Sequence, residues 1–167
     1  MNNLNSTLEV ENLNLVGLDI NKSEELSKKL NTLLANYSIF YQNTRGYHWN
    51  LRGQKFFELH LKFEELYNHL STKIDEIAER ILTIGFPANH NFTDYKTMSK
   101  ITEATKVSDG VRSAEDVLKS LRYIISLERE ILTYANKMGD EGTYTLMSET
   151  IKNQEKMVWM YAAYLEK

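Results

Sequence analysis

The sequence predicts an all-α protein: a four-helix bundle whose second and third helices are joined by a long crossover carrying a short extra helix. Three observations carry this. A chain of 167 residues has only 7 Gly and 1 Pro, too few breakers for a many-turned β fold. Apolar residues recur at helical spacing through four long segments. The breaks between those segments are short, long and short in turn, the connectivity of a bundle with one crossover.

Residues 1–21 are Asn-rich and mildly acidic (Glu9, Glu11, Asp19) and read as an extended N-terminal arm. The bundle domain is expected over residues 22–167. Asn21, with Glu24 three positions on, predicts a capped start for a first helix running to about Trp49 on Leu26, Leu30, Leu33, Tyr37 and Phe40. Leu51–Gln54 breaks it. A second helix is expected from about Lys55 to Ile84, stopped by Gly85 at the C′ position with Pro87 following. The less regular stretch 86–112 predicts a short helix around Tyr95–Ile101. Ser113, with Glu115 and Asp116 in the first turn, opens a third long helix that ends before Gly139. After the turn Asp140-Glu141-Gly142 a fourth runs from about Thr143 to Leu165.

Composition narrows the chemistry. The chain has no Cys, which excludes disulfides, thiolate metal sites and a cysteine nucleophile. Any metal must be held by His, Asp or Glu, ligands that suit iron and manganese as well as zinc. A net charge of −3 gives no global attraction to nucleic acid. No signal peptide is expected in the N-terminal stretch, no window is apolar enough for a membrane span, and a cytoplasmic setting is expected.

The second helix is the informative one. With His60 at 0°, Phe63, Leu66, Leu70, Ile74, Ile77 and Ile81 fall between roughly −40° and −120° and form the core face. His60, Glu64, Asn68, Ser71, Asp75 and Glu79 fall between roughly 0° and 100° and form a second stripe of metal-ligand types. Asp75 and Glu79, one turn apart, can reach one ion. His60 and Asp75 are about 22 Å apart along the helix and cannot share an ion within one chain. Two copies of the helix, antiparallel about a two-fold axis near Asn68, bring His60 of one to Asp75 and Glu79 of the other, and symmetry makes the site twice. His48, at the end of the first helix, lies across the turn from His60. The alternative is a solvated or salt-bridged face; His69 and His90 read as ordinary packed or exposed histidines.

The stretch Tyr47-His-Trp-Asn-Leu-Arg-Gly-Gln-Lys-Phe-Phe-Glu-Leu-His60, continuing through Phe63, Tyr67, Asp75-Glu-Ile-Ala-Glu79-Arg80 and Gly85, closely resembles the Dps family of ferritin-like mini-ferritins, and the four helices follow that family's order. Trp159-Met160 fits as well. The resemblance implies a ferritin-like bundle and a ferroxidase site at a dimer interface, with His48 and His60 from one subunit, Asp75 and Glu79 from its two-fold mate, and Glu64 helping a second iron. It implies a hollow dodecamer that oxidises Fe(II), preferably with hydrogen peroxide over oxygen, and stores Fe(III). Trp49 is either a packing residue or a sink for stray oxidising equivalents, and the ten Tyr are equally core residues or electron donors. The three-fold iron-entry pore maps onto Asp140 and Glu141, with Glu149 as a substitute acid, because Asn136 and Thr145 stand where some members carry Asp.

The pattern departs from DNA-binding members in one respect. Residues 1–21 contain no Lys or Arg, so DNA binding through a basic tail is not expected. A patch such as Lys28, Lys29, Lys96 and Lys100 would bind in a salt-sensitive way. The alternative functions are a nucleoid-associated DNA-compacting protein, a cage without chemistry, and a di-iron oxygenase with its metals inside one bundle. The last uses Glu-x-x-His pairs, and none of the four His has Glu three positions before it.

Overall fold

The computed structural model describes residues 12–167. Among them are five helices: α1 (Ile20–Asn50), α2 (Phe56–Thr83), α3 (Phe92–Met98), α4 (Gly110–Met138) and α5 (Glu141–Tyr164). This is the expected bundle. α1 packs on α2 and α4, α4 on α5, and α3 lies on α1. The core is built from Leu26, Leu30, Leu33, Tyr37 and Phe40 of α1, Phe63, Leu66, Leu70, Ile77 and Ile81 of α2, Leu121 and Ile124 of α4, and Met147 of α5. The apolar face expected on the second helix is thus the buried one, with Ile74 half-buried at its margin.

Caps move four of the starts. Asp19, not Asn21, caps α1, its carboxylate accepting from the Lys22 N–H at 2.9 Å. Asp109, not Ser113, caps α4 through the Arg112 N–H at 2.7 Å. Asn91 caps the short helix, which therefore begins at Phe92 rather than Tyr95. Asp140 caps α5, which begins at Glu141 rather than Thr143 and takes the expected Glu141-Gly142 turn into the helix. In each case an Asx residue upstream of the expected start takes the orphan amides first. The stop at Gly85 holds: it adopts φ +95°, and the Phe86 N–H donates to the Ile81 carbonyl at 3.1 Å, closing the helix as a Schellman motif does.

Residues 1–11 of the expected arm lie outside the described residues. Residues 12–19 are not extended. They fold into a tight loop in which Leu13 bridges Asp19, and the Asn14 side chain donates to the Ile84 carbonyl at 3.0 Å. Three asparagines on α1 lay the crossover down. Asn31 holds both Pro87 and Asn89; Asn36 accepts from Ser99, Lys100 and Ile101; Asn43 holds Thr102 and Ala104. Buried amides need such partners, so these polar residues in an otherwise apolar register specify where the connection runs. Among the described residues, the face of α2 that carries Phe57, Leu61 and Leu82 is left exposed.

Candidate metal centre

The turn at residues 51–55 folds α2 back along α1 and brings His48 and His60 face to face. Their rings stack with centroids 3.8 Å apart and planes 18° from parallel. Each imidazole donates from Nδ1 to the other residue's backbone carbonyl, His48 to His60 at 2.8 Å and His60 to His48 at 3.0 Å. A carbonyl oxygen only accepts, so both protons sit on Nδ1. In the neutral rings both Nε2 lone pairs are then available to a metal, and the backbone bonds do the orienting. Phe56 stacks on the His60 ring at 5.0 Å, and Tyr67 meets His48 edge-on at 5.3 Å.

Asp75 and Glu79 are exposed on α2, about four and about five turns from His60. Glu64 is half-buried between them. Among the described residues, no group of three or more His, Asp or Glu is close enough to hold a metal ion. One chain therefore holds two imidazoles at one end of the stripe and two carboxylates at the other.

The exposed apolar residues of α2 sit in the same sector. Phe57, Leu61 and Leu82 are 79%, 56% and 59% exposed, and they fall at roughly 60°, 100° and 40° on the scale that places His60 at zero. The stripe is nearly palindromic. About a midpoint between His69 and Leu70, Phe57 mirrors Leu82, His60 mirrors Glu79, Glu64 mirrors Asp75, and Asn68 mirrors Ser71. An antiparallel copy of α2 laid on this face would set each His60 against the other copy's Glu79 and cover the apolar ends, as an isologous contact requires.

The remaining expected residues fare differently. Trp49 is 56% exposed, with the Arg45 guanidinium 4.5 Å above its ring, so it packs no part of this subunit's core. Glu141 and Glu149 are exposed. Asp140, expected in an entry pore, is instead a buried cap. Its Oδ1 accepts from Arg80 at 2.5 Å and from the Thr143 N–H at 2.9 Å, and its Oδ2 accepts from the Thr143 hydroxyl at 2.6 Å. Only 1% of its side chain is exposed in this subunit.

A polar cluster in the bundle centre was not expected. Glu128 of α4 is fully buried; its Oε1 accepts from the Tyr37 hydroxyl at 2.6 Å and from Gln154 at 3.2 Å, and its Oε2 has no partner among the described residues. Burial pushes its carboxyl up to about 8, against the lowering effect of the Tyr37 and Gln154 bonds. The sequence signal was a lone acid in the register Leu121, Ile124, Glu128, Ile131, Ala135. His69 is half-buried, and burial lowers its pKa.

The ferritin-like domain family matches residues 27–167. A DNA protection during starvation protein of Porphyromonas gingivalis is 38% identical over 155 residues, 93% of this chain and 98% of its own. The chain belongs to the Dps family of ferritin-like proteins. Among solved structures, the Dps protein of Vibrio cholerae superposes with a TM-score of 0.91 at 49% identity, covering 92% of this chain and 97% of that one. That protein is described as a member of a broad superfamily of ferritin-like diiron-carboxylate proteins. Dps from Staphylococcus aureus superposes with a TM-score of 0.82 at 31% identity, over 85% of this chain and 95% of that one. No helix among the described residues is long and apolar enough to cross a membrane.

Proposed function

We propose that this Dps-family chain is a ferroxidase and iron store, and that the observation carrying the proposal is the reciprocally hydrogen-bonded His48–His60 pair. A pair locked with both Nε2 atoms free is a preformed half-site. Its other half is Asp75 and Glu79 of a two-fold mate, with Glu64 beside them. The substrate is Fe(II). Imidazole and carboxylate ligands accept it, and the carboxylates favour the harder Fe(III) that oxidation produces. His48 and His60 bind and orient the ion, and the apolar flanks from Phe57, Leu61 and Leu82 keep bulk water from the interface. Hydrogen peroxide is the preferred oxidant over oxygen, and Fe(III) is retained inside a homo-dodecameric cage in the cytoplasm. DNA is protected because Fe(II) and peroxide are consumed together. This fits the name carried by the Porphyromonas relative and the stress-protein name of a Bacillus subtilis relative 36% identical over 149 residues.

The test is stopped-flow oxidation of Fe(II) by peroxide and, separately, by oxygen, with particle mass measured on the same sample. Rapid oxidation, faster with peroxide, in a particle of twelve subunits is expected. Slow oxidation with both, together with DNA retardation that survives moderate salt, would replace this reading with that of a DNA-compacting protein.

A further inference from the structure

A cavity of about 500 Å³ lies between residues 100–107 of the crossover and one face of α4, over the C-terminal part of α1. That is the size of a small-molecule site. No residue of α2 lines it, so it is separate from the stripe that carries the metal-ligand types. Its wall is fixed from within. Buried Asn43 donates to the Thr102 carbonyl at 2.8 Å and accepts from the Ala104 N–H at 2.9 Å. Two buried hydroxyls reach this cavity: Tyr47 is 2% exposed and Ser120 8%. Neither hydroxyl has a hydrogen-bond partner among the described residues. Buried polar groups are paired as a rule, so two orphans on one cavity point to a ligand. The Tyr47 ring packs on Phe63 at 5.7 Å. Burial and the nearby Asp116 carboxylate raise the pKa of its hydroxyl, which therefore stays a donor.

The charges around the cavity select the ligand. Arg112, Asp116 and Lys119 follow one another at i+4 and i+3 on one face of α4. Lys100 and Lys106 come from the crossover. All four cations are exposed, and among the described residues none of them is in an ion pair. Of the acids, Glu103 is taken by Lys96 at 2.9 Å and Asp109 caps α4. Asp116, half-buried beside Tyr47, is committed to neither role. The rim is thus cationic, and the floor holds a carboxylate that only accepts and a phenol that donates. A bare anion satisfies the rim and leaves Asp116 without a donor. We infer that the cavity binds a small phosphate ester with free hydroxyls on its body, of the sugar phosphate or ribonucleotide kind. The phosphate oxygens meet Arg112, Lys119 and the crossover lysines. Hydroxyls of the body donate to Asp116, and one of its oxygens accepts from Tyr47. Duplex DNA offers phosphodiesters without free hydroxyls and has nothing to give Asp116.

The test is calorimetric titration of the iron-free assembled protein with ribose 5-phosphate, adenosine 5′-monophosphate and inorganic phosphate, which is independent of Fe(II) oxidation. At least one ester should saturate at one per chain and bind about tenfold more tightly than inorganic phosphate. The tighter of the two esters tells whether a base adds to the sugar. Tyr47→Phe keeps the ring in the core; it should weaken the ester severalfold and leave inorganic phosphate unchanged. In Asp116→Ala, inorganic phosphate should bind more tightly, while the advantage of the ester over it falls about tenfold. Lys119→Ala, at an exposed position, should weaken ester and inorganic phosphate alike by about tenfold. Three results would each overturn the inference. One is the absence of saturable ester binding by particles of wild-type mass. Another is ester binding no tighter than that of inorganic phosphate, or indifferent to both Tyr47→Phe and Asp116→Ala, which means charge alone. The third is displacement of the ester by a short DNA duplex at equal phosphate concentration, which assigns the cavity to a nucleic-acid backbone.

Discussion

Glu128→Gln isolates a charge that the folded bundle resists. In the native chain the Glu128 carboxyl is raised from its usual 4.5 to about 8 by burial. The sign follows from proton counting. Between these two values the unfolded chain has lost the proton that the folded chain keeps, so stability falls as pH rises and levels off above about pH 8. Across the whole window the loss is about 5 kcal/mol, and between pH 6 and 8 it is about 2 kcal/mol. Gln carries no charge, fits the same space, and can keep a carbonyl toward Tyr37 while offering its amide to the unpartnered Gln154 Oε1. Scanning calorimetry at a fixed rate on both proteins at pH 6 and pH 8 reads the difference. The wild type should lose about 4–8 °C more than Glu128→Gln over that interval. His69, whose pKa burial lowers, destabilises on acidification below about 6.5, and it is present in both proteins, so it cancels. Parallel pH profiles for the two would refute the assignment of a protonated Glu128 in the bundle centre.

Two further outcomes follow from the packing. Asp140→Ala strips the cap from α5 and leaves the mostly buried Arg80 guanidinium unpaired; a loss of about 3–5 kcal/mol is expected in denaturant unfolding, and a loss under about 1 kcal/mol would mean that the ion pair is incidental. Leu61→Asp puts a carboxylate into the exposed apolar part of the α2 stripe without touching the core. Sedimentation velocity should show smaller species in place of the full particle, whereas an undisturbed particle would mean that this face is not the two-fold contact.

Much of this was legible in the sequence because it is local. The period of α2 separates a core face from a second stripe that carries His60, Glu64, Asp75 and Glu79, and Gly85 and Gly139 mark helix ends by a conformation that favours glycine, with φ +95° and +75°. What escaped is non-local or competitive. Asp140 resembles a pore acid until an arginine from α2, sixty positions earlier, claims it. Asp19 and Asp109 outcompete Asn21 and Ser113 for the first free amides, a choice between neighbours that periodicity does not rank. Glu128 broke the apolar register visibly, but only the fold supplies Tyr37 and Gln154 to receive it. The tautomer lock on His48 and His60 needs backbone carbonyls whose positions depend on how the turn at 51–55 folds.

The central claim is that the metal site is shared between two chains, and complementation tests it directly. His60→Ala and Asp75→Ala each break every site when assembled alone. In a mixed two-fold pair, the chain with an intact His60 faces the chain with an intact Asp75 at one of its two sites, and that site is whole. Cages reassembled from an equal mixture should therefore recover about a quarter of the wild-type Fe(II) oxidation rate, since half the pairs are mixed and each restores one site in two. Recovery near that level, from two variants that are inactive when assembled separately, is the predicted result. No recovery in mixed cages of normal size would contradict a site shared across the two-fold axis.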